Sequence, residues 1–145
     1  MTAELDATAA ARLRDTDQRY TESRRRIVGI LADAGRPLTI AEVQAAGEGL
    51  PQSSVYRNVA VLEQAGVVRR VLATDEFARF ELDEDLTEHH HHLVCVSCGS
   101  VLDFTMSPAL EQTLDRAITS VGHDTGFTVQ NHRLDLVGLC ARCAD

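Results

Sequence analysis

Two cysteine pairs, Cys95-Val96-Ser97-Cys98 and Cys140-Ala141-Arg142-Cys143, constrain this chain more than any other feature. In each, two intervening residues let one tight turn aim both sulfurs at a single ion. Two such turns complete a tetrahedral four-sulfur shell of the kind that holds structural Zn²⁺. Gly99, directly after the first pair, suits the chain reversal. The stretch from Gly99 to Leu139 is longer than in a simple zinc ribbon, so it must contain folded elements. An ion at Cys95, Cys98, Cys140 and Cys143 would then tie the last strand of its domain to the first. A redox pair, two separate ions and four inert buried cysteines are the competing readings. A redox C-x-x-C normally occurs once, beside a βαβ pattern that is missing here.

The surroundings expected for these thiols are reducing. No stretch approaches the roughly 18–20 apolar residues that cross a bilayer, so no membrane partner is expected. Met1 to Asp15 lacks a basic start followed by an apolar block, so no signal peptide is expected and the reading places the chain in the cytoplasm.

Charge divides the 145 residues in two. The net charge of −8 argues at first against a polyanionic partner. Residues 12–70, however, carry ten Arg against seven acids, and residues 71–145 carry four Arg against thirteen. All six His and all four Cys lie at or beyond position 89. The first half is weakly basic, and the second is acidic and rich in metal-ligand residues.

The basic half has the pattern of three helices and a hairpin. Thr21 caps an amphipathic helix to Ala34, with Ile27, Ile30 and Leu31 at helical spacing. Thr39 and Glu42 form a capping box for a short second helix. Ser53 or Ser54 caps a third, in which Val55, Val59 and Leu62 form the buried stripe and Gly66 ends it. Val67–Leu72 and Phe77–Leu82 read as two strands joined across Ala73–Glu76. This is the layout of a winged helix-turn-helix. Asp83-Glu84-Asp85, with Glu88, reads as a hinge to a second unit with strands around His92–Val96 and Val101–Phe104, a helix near Pro108–Val121 and a strand from Thr128 to Val137. The fold class is therefore α+β, with a DNA-binding domain at 1–85 and a metal-binding domain at 86–145.

A helix-turn-helix sets the start of its second helix into the major groove. Here that start offers Gln52, Ser53, Ser54, Tyr56, Arg57 and Asn58 to bases and phosphates. Arg19 and Arg24, with Arg25 and Arg26, are placed for phosphates at the head of the first long helix. The competing reading is an ordinary solvated Arg face.

His89-His90-His91-His92 supplies a second chemistry. On an extended segment neighbouring side chains alternate in direction, so His89 and His91 face one way and His90 and His92 the other. Two sites result, and each needs partners from elsewhere: Glu81, Glu111 and His132 are the candidates. With no fifth Cys these sites use nitrogen and oxygen donors, which accept Zn²⁺, Fe²⁺, Mn²⁺ or Ni²⁺. A solvated polar loop is the plain alternative, and His123 reads as a surface residue. Catalysis is not expected, because neither H-E-x-x-H nor any nucleophile motif is present.

Taken together, Ser54-Val55-Tyr56-Arg57-Asn58-Val59, Ala65-Gly66-Val67-Val68, Phe80-Glu81-Leu82, the run from His89 to Gly99, His132 and the Cys140–Cys143 pair resemble the ferric uptake regulator family of metal-dependent repressors. The resemblance covers nearly the whole chain. It implies a homodimer joined through the C-terminal α/β domain that binds inverted-repeat double-stranded DNA when metal-loaded. It implies a regulatory site of Glu81, His90 and His92, and a further site of His89, His91, Glu111 and His132. The ions implied are a structural Zn²⁺ and a second divalent ion, Zn²⁺, Fe²⁺ or Mn²⁺. Tyr56 and Arg57 fall where the family contacts DNA.

The chain departs from the family pattern in two places. Pro37 or Leu38 stands where iron-sensing relatives often supply a His, and Leu82 or its neighbours stand where zinc sensors often supply a Cys. The stretch between Glu111 and His132 is about four residues longer than usual, close to one helical turn, so Glu111 keeps its facing or Asp115 replaces it. Without metal, the hinge acids are expected to repel one another and Glu81. A peroxide sensor of the same fold, with His-ligated Fe²⁺, is the second reading, and metal storage without DNA binding is the third.

Overall fold

A computed structural model describes residues 1–71 and 77–145. The expected wing turn at Ala73–Glu76, with Leu72, lies outside the described residues. The chain begins with helix α1 (Ala3–Asp15), capped by Thr2 and buried through Ala9 and Leu13. No element is expected before Thr21, yet the i, i+4 spacing of Leu5, Ala9 and Leu13 is the signal that marks this helix.

Helix α2 (Glu22–Ala34) starts at Thr21, whose side chain accepts from the Arg24 N–H, and ends at Gly35 in the left-handed conformation, φ 64°. A two-residue strand, β1 (Leu38–Thr39), precedes α3 (Ile40–Ala46), where the expected Thr39–Glu42 capping box is present. Helix α4 (Gln52–Gln64) departs from expectation at its start. Its N-cap is Pro51, with no side-chain cap, because the fixed proline φ already sets the extended conformation of that position. Neither Ser53 nor Ser54 caps it; Ser54 Oγ instead accepts from Asn58 Nδ2 at 3.1 Å. At the other end Gly66 (φ 74°) allows the Val67 N–H to reach the Leu62 carbonyl at 2.9 Å.

Strands β2 (Val68–Val71) and β3 (Arg79–Leu82) pair antiparallel, with Arg69 opposite Glu81 and Arg70 opposite Phe80. Strand β1 adds to the far side of β3, giving the order β1-β3-β2. Ile27, Val28, Leu31, Val43, Val55, Val59, Leu62, Val68, Phe80 and Leu82 form one core between the helices and this sheet, so the first half is a winged helix.

Asp83 caps a short 3₁₀ turn, Glu84–Leu86. The expected repulsion among the acids here is not what the structure shows. Arg12 of α1 pairs with Asp83 at 3.3 Å and Asp85 at 3.2 Å, and also donates to the Gly66 carbonyl. Glu84 pairs with Arg69 and His89. Two arginines from distant segments, Arg12 and Arg69, offset the charge of the run, and the His89 ring contacts Glu84.

Beyond the joint, β4 (His91–Cys95) lies between β5 (Val101–Phe104), antiparallel, and β6 (Asp135–Gly138), parallel. Helix α5 (Pro108–Thr125) separates β5 from β6 and runs past the expected end at Val121 until Gly126, φ 70°, stops it. The strand expected from Thr128 is confined to Asp135–Gly138. Its partner among the described residues is β4, which begins at His91, and the pairing starts where the His92 N–H donates to the Leu134 carbonyl at 3.3 Å. The buried core here is small: Val94 and Val101, packed with Val71 from β2 of the winged helix. Leu93, Leu102, Leu136, Val137 and Leu139 stay exposed around a hollow of about 330 Å³.

Candidate metal centres

Among the described residues three groups of ligand side chains converge, each with its donor atoms within 4.8 Å of one another. The first is Cys95, Cys98, Cys140 and Cys143. The parallel pairing of β6 on β4 sets Gly138 opposite Cys95 and so carries the second knuckle to the first. Cys98 Sγ lies 3.8 Å from Cys140 Sγ, and the Cys140 N–H donates to Cys95 Sγ at 3.4 Å. Gly99 takes φ 74° as its N–H closes the turn on the Cys95 carbonyl. The backbone N–H groups of Cys98 and Cys140 lower the Cys95 pKa to about 6, and those of Cys143 and Arg142, with the Cys143 thiol, lower that of Cys140. A hydrogen bond with Ser97 lowers the Cys143 pKa, but the Cys140 thiol, burial and the Cys95 and Cys98 sulfurs together outweigh it and push it up to about 11. The pair thus shares its thiolate character unequally; four converging sulfurs are nonetheless a donor set that fits Zn²⁺.

The second group joins the two halves: Glu81 of β3, His90 just before β4, His92 within β4 and Asp103 of β5. Glu81 Oε2 lies 2.9 Å from His90 Nε2 and 3.1 Å from His92 Nε2. Burial pushes the Glu81 pKa up, but hydrogen bonds from His92 and His90 and the charge of Arg69 outweigh it and hold it at about 2. Burial likewise disfavours charged His90, yet the Glu88 carbonyl and the Glu81 carboxylate raise its pKa. Asp103, absent from the sequence reading, stands 3.5 Å from His92 and 3.8 Å from His90. It is opposite His92 in the β4–β5 register, a pairing no spacing in the sequence reveals. Its Oδ1 is buried with no hydrogen-bond partner among the described residues, which leaves it available to a cation.

The third group is His89, His91, Glu111 and His132. His91 Nε2 is 2.6 Å from Glu111 Oε1, and His89 Nε2 is 3.3 Å from Glu111 Oε2 and 3.2 Å from His132 Nε2. Glu111 lies in this cluster, whereas Asp115 stands behind His132 at its Nδ1, 4.0 Å away. The hydrogen bond with His91 leads in lowering the Glu111 pKa. The alternation along 89–92 thus divides the four His between two faces. Neither departure from the family pattern supplies a further donor: Leu38 pairs in β1 and Leu82 is buried in the core.

On the winged helix, Ser53, Tyr56 and Arg57 are exposed on α4, and Arg19 is exposed before α2. Ser54 is half-buried. Asn58 is buried, and its Oδ1 accepts from Arg24 Nε at 3.0 Å. Arg24 also donates to the Arg19 carbonyl, at 2.6 Å. Arg24 and Asn58 therefore face each other between α2 and α4 rather than outward. Arg25 pairs with Asp6, and Arg26 donates to the Glu48 carbonyl. His123 is exposed beside Asp124.

A winged helix followed by a small sheet, with clusters of metal-ligand side chains in and next to the joint, defines the class to which this chain belongs. Residues 15–137 match the ferric uptake regulator family. The chain is 31% identical over 136 residues to the peroxide operon regulator of Bacillus subtilis, with 91% of this chain and 88% of that protein covered. It is 31% identical to a zinc-bound manganese uptake regulator of known structure, TM-score 0.66, covering 94% of this chain and 98% of that one. The ferric uptake regulator of Helicobacter pylori superposes with TM-score 0.74 over 98% of this chain and 93% of that one; at 19% identity this likeness speaks for the fold alone. The chain belongs to the ferric uptake regulator family, whose members are metal-dependent, DNA-binding dimeric transcriptional regulators. No helix among the described residues is long and apolar enough to cross a membrane.

Proposed function

We propose that this chain is a metal-gated repressor of metal-homeostasis genes. Residues 1–85 read DNA, and residues 86–145 hold metal and pair two copies. The observation that carries this reading is the position of Glu81. It sits on the wing sheet, while His92 and Asp103 belong to the second sheet and His90 directly precedes it. A divalent ion held by these four would fasten one half of the chain to the other and so set the spacing of two recognition helices in a dimer. Cys95, Cys98, Cys140 and Cys143 would hold a structural Zn²⁺. His89, His91, Glu111 and His132 would hold a further ion. Exposed Leu93, Leu102 and Leu136 support burial against a second copy. Inverted-repeat double-stranded DNA is the partner that a two-fold dimer matches. Arg19, Ser53, Tyr56 and Arg57 are placed to meet it, while Arg24, Asn58 and half-buried Ser54 brace the helix that carries them.

The regulatory donors are nitrogen and oxygen only, a set that takes Zn²⁺, Fe²⁺ or Mn²⁺. Affinity falls on acidification, because His must be neutral to ligate. The test uses duplexes selected by the metal-loaded protein from a random pool, with binding followed across metal concentration for wild type, Glu81→Ala and His90→Ala. Loss of metal dependence in both variants is expected; unchanged dependence in both overturns the reading.

Identity to the peroxide operon regulator favours one second reading, in which Fe²⁺ at the same residues makes the chain a peroxide sensor. Mass spectrometry distinguishes it: an oxygen atom added to His90 or His92 after peroxide treatment with Fe²⁺ supports peroxide sensing, and unmodified histidines support metal sensing.

A further inference from the structure

The two histidine-rich sites face opposite sides of β4, yet a continuous line of contacts joins them. His89 turns Nε2 toward Glu111 and His132, and its Nδ1 contacts Glu84 Oε1. The other oxygen of Glu84 lies 3.6 Å from Arg69 Nη1. Arg69 directs both Nε and Nη2 to Glu81 Oε1 at 2.7 Å. Glu81 Oε2 then meets His90 and His92. Glu84 and Arg69 are each more than three-quarters shielded from solvent, so water does not dissolve the line.

Each contact orients a ligand of one site. A carboxylate on Nδ1 requires the proton there and leaves the Nε2 lone pair toward the cluster, the form a metal-binding imidazole takes. The Arg69 fork occupies one oxygen of Glu81 and leaves the other for His90, His92 and an ion. The partner that orients His89 is therefore also the partner of the residue that orients Glu81.

We propose that Glu84 and Arg69 are positioning residues that couple the two histidine sites, so that filling either one raises the affinity of the other. The inference rests on the metal-sensing reading. Fixing His89 on an ion fixes Glu84, Glu84 holds Arg69 on Glu81 Oε1, and Oε2 is held ready for the regulatory site. Glu84, negative and between the sites, also offsets the repulsion of two divalent charges. The three residues that relay the effect, Arg69, Glu81 and Glu84, all lie before the His run, so the line runs from the second unit through the wing and back.

The test is chelator competition with Zn²⁺ on the full chain carrying its cysteine-bound ion. Affinities are read in wild type, in His132→Ala, which disables the third cluster, and in His90→Ala, which disables the regulatory one. Disabling either site is expected to weaken the other by about tenfold, and by the same factor in both directions, since coupling is reciprocal. In Glu84→Ala both effects are expected to vanish. Glu84→Gln keeps an acceptor for His89 but drops the charge on Arg69, and is expected to lose most of the coupling with the thermal midpoint of the apo-chain unchanged. Two sites that fill independently in wild type, or coupling that survives in both Glu84 variants, overturn the proposal. A chain that takes up no metal beyond the cysteine-bound ion overturns the metal-sensing reading as well, which separates the two failures.

Discussion

Glu81 Oε2 and His92 Nε2 meet at 3.1 Å, a carboxylate of the wing sheet against an imidazole of the second sheet. Both side chains are buried. A buried acid with three cationic or polar partners, His90, His92 and Arg69, is held charged at almost any pH. Glu81→Gln keeps the shape and removes that charge. It is expected to weaken Zn²⁺ binding at this site by about 10–100-fold, read by chelator competition. An unchanged affinity would show that Glu81 is only a structural pair for the histidines.

Asp103 is the candidate fourth donor of the same cluster. Its Oδ1 is buried with no hydrogen-bond partner among the described residues, and burial raises its pKa despite nearby His90. Asp103→Ala is expected to lower metal affinity by about tenfold or more while the winged-helix core, which Asp103 does not touch, keeps its stability. Isothermal titration of the variant with Zn²⁺ and Mn²⁺ checks this. Equal affinities in variant and wild type would remove Asp103 from the ligand set.

Asn58 joins Arg24 to Ser54 between two helices. Asn58→Ala leaves the Arg24 Nε–H without that acceptor and is expected to cost about 1–3 kcal/mol in urea unfolding. A residue that only touched bases would leave unfolding unchanged and alter DNA affinity alone. Tyr56→Ala, at an exposed position, is expected to show that second pattern.

The cysteine cluster ties a strand with few other anchors, since every residue of β6 is exposed in the single chain. Removing the ion with a strong chelator, or introducing Cys143→Ser, is expected to lower the thermal midpoint by about 10 °C or more. Hydrogen exchange of Leu136–Gly138 should accelerate, while the β2–β3 pair stays protected. Uniform acceleration across both sheets would contradict a role confined to the second unit.

Glu42 gives the winged helix a pH dependence. Burial opposes its charge, but hydrogen bonds from Arg36 and the Thr39 backbone prevail and lower its pKa. A carboxylate with a depressed folded-state pKa contributes stability above its unfolded value, near 4.5, and loses it as pH falls through the folded value. The difference in thermal midpoint between wild type and Glu42→Gln is therefore expected to be positive at pH 6 and to shrink below pH 4.5. A difference independent of pH would assign the stabilisation to shape rather than charge.

Local signals made much of this protein legible. Caps such as Thr21, Thr39 and Gly66 act within a few residues, so helices α2 and α3 and the end of α4 could be read from their ends. Pairwise alternation divided His89–His92 correctly between two faces because strand geometry has period two. The pattern failed where a partner from far away decided the outcome. The expected strand from Thr128 forms only where β4 lies beside it, from the Leu134 carbonyl onward, and the hinge acids looked repulsive until Arg12 and Arg69 came from distant segments to meet them.

The sequence by itself determined which chemistry is present: four thiols in two knuckles, an alternating His run, and a basic half before an acidic one. These are consequences of residue type and short spacing. The resemblance already implied which histidines and glutamates belong together; tertiary structure decided what else joins or leaves each group. Asp103 enters through the β4–β5 register, Glu111 rather than Asp115 through the course of α5, and Asn58 leaves the DNA-facing set because α2 covers it. Each depends on where a second element comes to rest, and that position is set by the packing of the whole core rather than by any window of the chain.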